Sequence, residues 1–139
     1  LSGILEQTLG EVEVVVVDSG STDATLAIAS RYPVRIEHIA REDFSFGRSL
    51  NLGCRAARGE FLVLASAHVY PLYRDWLEKL VAPFADPSVA LVYGQQRGDD
   101  RSKYAEQQLF EKLYPDGPAR LTDGYFCNNA NAAVRRALW

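Results

Sequence analysis

The sequence predicts an α/β domain, a mainly parallel sheet flanked by helices and joined by right-handed crossovers. Three observations carry this. β-Branched or continuously apolar runs of strand length alternate with helix-period segments. Gly, Pro, Asp or Asn punctuates the junctions between them. The chain has 139 residues, 47% of them hydrophobic, which suffices for one domain with a core over residues 1–139.

The elements follow in order. "LSGILEQTLG" reads as the tail of an amphipathic helix, with Ile4, Leu5 and Leu9 turned inward. "EVEVVVVD" is a strand whose unbroken apolarity suits burial on both faces. Gly20 then supplies a turn, and Ser21, Thr22 and Asp23 are candidate caps for the helix "ATLAIASRY". Pro33 closes that helix, and "VRIEHIA" alternates as a second strand, with His38 a structural residue inside it. Ser45 or Gly47 starts a helix that presents Leu50, Cys54 and Ala57 on one face and ends at Gly59. "FLVLA" is the third strand, stopped by Pro71. "YRDWLEKLVAPF" is a helix with Trp76, Leu80 and Phe84 on one side, and "VALVYG" is the fourth strand. The polar helix "SKYAEQQLFEKLY" precedes a break at "PDGPA", and "AAVRRALW" reads as the start of another helix. With no methionine and helix pieces at both ends, the expectation is a segment of a longer protein, its fold incomplete at both ends.

Bulk properties exclude several classes. A formal charge of −3 lacks the basic footprint of a nucleic-acid binder. No apolar run approaches the roughly 20 residues that span a bilayer, and no secretory signal opens the chain. Cys54 and Cys127 lack metal-motif spacing and are expected as small buried hydrophobes in a reducing, cytoplasmic compartment.

In doubly wound sheets the ligand crevice lies outside the carboxyl ends of the strands. Two polar clusters fall there. In "VVVVDSGSTD" the Asp18 carboxylate can accept hydrogen bonds from a base or ribose, with Ser19 beside it; the same stretch also serves as a helix cap. In "SAH", Ser66 and His68 lie two apart, so an extended segment would point both side chains the same way. One histidine is too little to hold a metal, and phosphates and water would have to complete such a site. Arg48 and Asn51 lie three apart at a helix start, where a guanidinium does not complement the helix dipole but can pair with a phosphate. Asn128, Asn129 and Asn131 suit either a turn with a cap or a polar binding wall.

Taken together, "ILEQT", "EVEVVVVDSGSTDATLAIA", "FSFGRSLNLGCRAARGEFLVLASAHVYP", "WLEKLVAPFADPSVALVYGQQ" and "CNNANAAVRRALW" resemble a bacterial family-2 glycosyltransferase with the GT-A, Rossmann-like fold. The resemblance covers nearly the whole chain, and it implies transfer of a sugar from a nucleotide-diphosphate donor, with inversion, to a saccharide or lipid-linked acceptor in polysaccharide biosynthesis. It implies a divalent metal, Mn or Mg, and a site at the cytoplasmic side, at the inner face of the membrane. Asp18 and Ser19 would lie by the base and ribose, and Arg48 and Asn51 by the donor. "SAH" occupies the place of the family's Asp-x-Asp motif, which makes Ser66 a donor-side residue and His68 the candidate metal ligand. Asn129 and Asn131 would line the donor-sugar or acceptor side.

Three departures accompany the resemblance. Ser and His replace the acidic pair and lower the charge offered to a metal. The family's first strand, with its nucleotide-contacting motif, would precede Leu1. The general-base carboxylate would follow "RRALW", so none is assigned here. The competing expectation is a degenerate nucleotide-sugar-binding module without turnover. Open sheet edges in such a segment favour association, and the oligomeric state is left open.

Overall fold

The computed structural model describes residues 1–98, 102–114, 117 and 129–139. Cys127, Asn128 and most of the Pro/Gly break at 115–119 lie outside the described residues. The helices are α1 (Ser2–Leu5), α2 (Thr25–Ala29), α3 (Phe46–Ala56), α4 (Trp76–Val81) and α5 (Tyr104–Leu113). The strands are β1 (Val14–Asp18), β2 (Val34–His38), β3 (Phe61–Ala65), β4 (Leu91–Tyr93) and β5 (Asn131–Arg135). Single 3-10 turns lie at Arg41–Asp43, Ala82–Ala85 and Arg136–Leu138. No helix among the described residues is long and apolar enough to cross a membrane.

The strands form two sheets. β1 and β2 pair in parallel, from Val14 opposite Val34 to Asp18 opposite His38. β5 lies between β3 and β4 and runs antiparallel to both, so β3 and β4 share a direction. β1 and β2 are parallel neighbours joined through α2, and β3 and β4 share a direction, as the alternation of strands and helices predicts. The three-stranded sheet departs from it, because "NAAVR" is a strand and not the start of a helix. Ala132, Ala133 and Val134 are 1%, 0% and 8% exposed. A central strand buried on both faces loses the alternation that marks a strand, and a short apolar run then reads equally well as helix.

α3 ties the two sheets together. Its start is capped by Ser45, whose hydroxyl accepts from the Arg48 N–H at 3.2 Å. Its inner face carries Cys54, buried with Leu62, Leu64 and Val134, while Leu50 and Ala57 pack alongside. Burial also pushes the Cys54 thiol pKa up, as for an inert core cysteine. On β1 the helix sits so close that a Cβ at Gly53 would lie 3.1 Å from Val17 Cγ2.

A second cluster joins Leu80, Phe84 and Ala133, flanked by Phe61, Val63, Trp76 and Val92. Each large side chain buried here contributes about 1.5–3 kcal/mol. Arg135 closes its rim, donating to the carbonyls of Val89, Phe84 and Asp86 and lying over the Phe84 ring at 5.1 Å. At α2 the cap differs from expectation. Ala24 holds the N-cap position, and Asp23 acts from one residue earlier by accepting from the Thr25 N–H at 2.9 Å.

Candidate functional site

The carboxyl end of the parallel pair holds Asp18, the buried charged residue among those described, at 5% exposure. Its carboxylate folds the following turn onto itself. Oδ2 accepts from the Gly20 N–H at 3.0 Å, and Oδ1 accepts from the Ser21 N–H at 3.2 Å. Gly20 has φ +87°, a conformation that costs glycine nothing and suits this reversal. The Ser21 hydroxyl, donating to Asp18, does most to hold its carboxyl below the usual range. Burial opposes this, and the Gly20 and Ser21 amides and nearby His38 add to the lowering. Ser19 is half-buried in the same turn, and the Arg41 guanidinium donates to the Gly20 carbonyl at 3.0 Å.

His38 belongs to this group. It is not an interior strand residue but the last residue of β2, opposite Asp18, with Nδ1 3.6 Å from Asp18 Oδ2. Its side chain is 64% exposed, against 3% for Asp18. The sequence pattern placed His38 as a structural strand residue and gave Arg41 no role. The signal available for His38 was register: two parallel strands of equal length place their last residues side by side at the crevice edge.

Arg48 and Asn51 stand on the first two turns of α3 and hold different partners. Arg48 Nη1 donates to the Asp43 carbonyl and carboxylate, both at 3.2 Å. Both side chains are 65% exposed, so the ion pair is worth little and can be exchanged for a phosphate at small cost. Asn51 Oδ1 accepts from the Trp139 indole at 3.2 Å.

Ser66, His68, Asn129 and Asn131 come together at the end of the second sheet, where Ala65 pairs with Asn131. Ser66 donates its N–H to the Ala130 carbonyl at 3.4 Å, between the two asparagines. The "SAH" segment is a turn, not an extended stretch. The Ser66 hydroxyl accepts from the His68 N–H at 3.3 Å, and the Val69 N–H returns to the Ser66 carbonyl. The expected same-side projection of Ser66 and His68 is therefore replaced by a closed turn with an exposed imidazole.

Asn129 is exposed in the turn before β5. The Asn131 amide is engaged on both sides, accepting from the Trp76 indole at 2.8 Å and donating to the Gln95 carbonyl at 3.0 Å.

No group of three or more His, Cys, Asp or Glu among the described residues could hold a metal ion. One imidazole and one hydroxyl do not fit a resident, protein-caged metal. A single imidazole would leave every other position of a bound divalent ion to phosphate and water.

Comparison with known proteins extends these observations. The model of the family described as glycosyl transferase family 2 matches residues 1–138. The O-antigen chain rhamnosyltransferase RfbN of Salmonella typhimurium is 31% identical over 98 residues, covering 69% of this chain and 31% of the relative. An uncharacterised glycosyltransferase of Rickettsia typhi is 34% identical over 127 residues, 83% of this chain and 40% of the relative. The chain thus spans well under half the length of these relatives. Among solved structures, a mannosyltransferase of Pyrobaculum calidifontis in complex with GDP-Man and Mn2+ aligns with TM-score 0.61 and 32% identity, over 69% of this chain and 30% of that one. A mycobacterial protein aligns with TM-score 0.59 and 25% identity, over 91% and 43%.

Proposed function

The chain belongs to glycosyl transferase family 2 and has the GT-A α/β fold, and from that premise we propose that it forms the donor-binding part of an inverting glycosyltransferase. The donor is a nucleotide-diphosphate sugar, and the acceptor a saccharide or lipid-linked hydroxyl, as in polysaccharide biosynthesis. The observation that carries the proposal is the ionised, buried Asp18 and its glycine turn at the carboxyl end of a parallel strand pair. The similar mannosyltransferase that holds GDP-Man and Mn2+ supports the donor class.

Each residue then has a task. The Asp18–Ser21 turn offers a shaped polar edge to the base and ribose, with Ser19 within it. Arg48 releases its exposed Asp43 partner and takes the diphosphate, with Asn51 one turn further along. His68, exposed in the turn that follows Ser66, would serve as an imidazole ligand of a donor-borne Mn or Mg ion. When bound, such an ion offsets charge on the departing diphosphate. Asn129 faces the donor sugar or acceptor, and Asn131 holds that wall in shape through Trp76 and Gln95. This division favours displacement at the anomeric carbon by an acceptor hydroxyl, with the residues named here serving the leaving side.

The test is a screen of the full-length protein against nucleotide sugars, with and without Mn2+ or Mg2+. The expected result is hydrolysis or transfer from one donor class. His68→Ala is expected to remove the metal-dependent increment of donor affinity and to leave metal-free nucleoside binding intact. Absence of any nucleotide-sugar binding overturns the proposal. A second reading, a binding module without turnover, is favoured by Ser66 and His68 standing where an acidic pair is expected; tight donor binding with no product would select it.

A further inference from the structure

We propose that His38 meets the donor nucleoside beside the Asp18–Ser21 turn, and that the Asp18 carboxylate is a positioning group behind it. The inference rests on the donor-binding reading above and deepens it. Residues opposite each other in a ladder project from the same face of the sheet, so Asp18 and His38 rise side by side at the crevice edge. Their accessibility divides the work between them. Asp18 has 3% of its side chain exposed, and its oxygens already accept the Gly20 and Ser21 amides. An incoming ligand meets little of it. His38 has 64% of its side chain exposed and stands 3.6 Å in front of that carboxylate.

The carboxylate beside Nδ1 favours the tautomer that carries its proton on Nδ1. Nε2 is then left as an acceptor on a flat, largely exposed ring. An acceptor nitrogen and an aromatic face suit a nucleoside: a ribose hydroxyl or a base N–H donates to Nε2, and the base lies against the ring. The other charged groups around the turn have partners within the protein. Arg41 donates to the Gly20 carbonyl, and Asp23 accepts from Thr25.

The experiment follows the histidine ring protons of the full-length protein by NMR. The His38 and His68 signals are each assigned by their loss in His38→Gln and His68→Gln. UMP, GMP, UDP and GDP are added without metal. The nucleotide that binds is expected to move the His38 ring signals already as the monophosphate, with those of His68 still. Calorimetry is expected to give roughly a tenfold loss of affinity in His38→Ala, one hydrogen bond's worth, with partial recovery in His38→Gln. The melting temperature should not change, because the side chain is exposed. Binding with stationary His38 signals, or undiminished affinity in His38→Ala, overturns the assignment and leaves the donor-binding reading standing. Failure of these four and of the adenosine, cytidine and thymidine mono- and diphosphates, added in the same way, to bind overturns both.

Discussion

Gly94 and Asn131 offer the sharpest test of how the second sheet shapes its end of the crevice. A Cβ built at Gly94 would lie 3.0 Å from Asn131 Cγ and 3.1 Å from its Oδ1, and closer still to Nδ2. In Gly94→Ala the amide must therefore swing out and release both the Trp76 indole and the Gln95 carbonyl. Two net hydrogen bonds at about 1 kcal/mol each, plus a partly buried indole N–H left without a partner, come to about 2–4 kcal/mol. Asn131→Ala removes the same bonds and should cost the same. In that background the added methyl enters vacated space, and Gly94→Ala becomes neutral or gains up to about 1 kcal/mol by restricting the unfolded chain. The double variant should thus be no less stable than Asn131→Ala alone, a coupling of about 2–4 kcal/mol. Urea unfolding of the four proteins measures it directly, with no sugar present, which isolates Asn131's part in the fold from any contact with ligand. Additivity of the two single losses to within about 0.5 kcal/mol would refute the reasoning.

Two further outcomes follow from the same structure. The Asp18 carboxyl has its folded pKa depressed below 3.8, so its stabilisation is complete above that value and is lost as the pH falls through the folded one. Asp18→Asn should make the acid limb of stability shallower below about pH 5, and an unchanged limb in urea titrations at each pH would exclude this. Arg135→Lys replaces a planar fork that reaches three carbonyls with one ammonium. It should cost about 2 kcal/mol, read as a lower urea midpoint, and a loss below about 0.5 kcal/mol would contradict the rim-closing role.

What the sequence disclosed and what it withheld divide along a physical line. "FLVLA" is a strand with the bounds its composition suggests, and Ser45 caps α3 as its place before the apolar face implies. Both signals are local: a run of apolar residues, and an oxygen set to accept an orphan amide. β5 escaped because its ladder partners stand far away in sequence, while Cys54 of α3 and Leu80 of α4 belong to the clusters that bury it, erasing the period. His38 escaped for a related reason. The alternation of Val34, Arg35, Ile36 and Glu37 breaks at His38, but nothing local says that pairing with β1 ends there and sets the crevice edge.

The site residues show the same division more finely. Arg48 pairs with Asp43 five residues earlier, across the entry to its own helix, a contact within reach of sequence reasoning. Asn51 pairs with Trp139, 88 residues away, and Asn131 with Trp76, 55 away, which no local pattern announces. A residue type declares what chemistry a side chain can perform; only the fold decides whether that chemistry is still available to a ligand. Asn131 and Asp18 have the polarity of binding residues, yet their polar atoms are largely engaged with the protein itself. His38, drawn from an unremarkable strand, has its ring open to solvent beside a fixed charge. Exposure and engagement therefore separate the candidates more sharply than motif membership does, and the side chains of His38, Arg48 and His68 are more open to a ligand than those of Asp18 and Asn131.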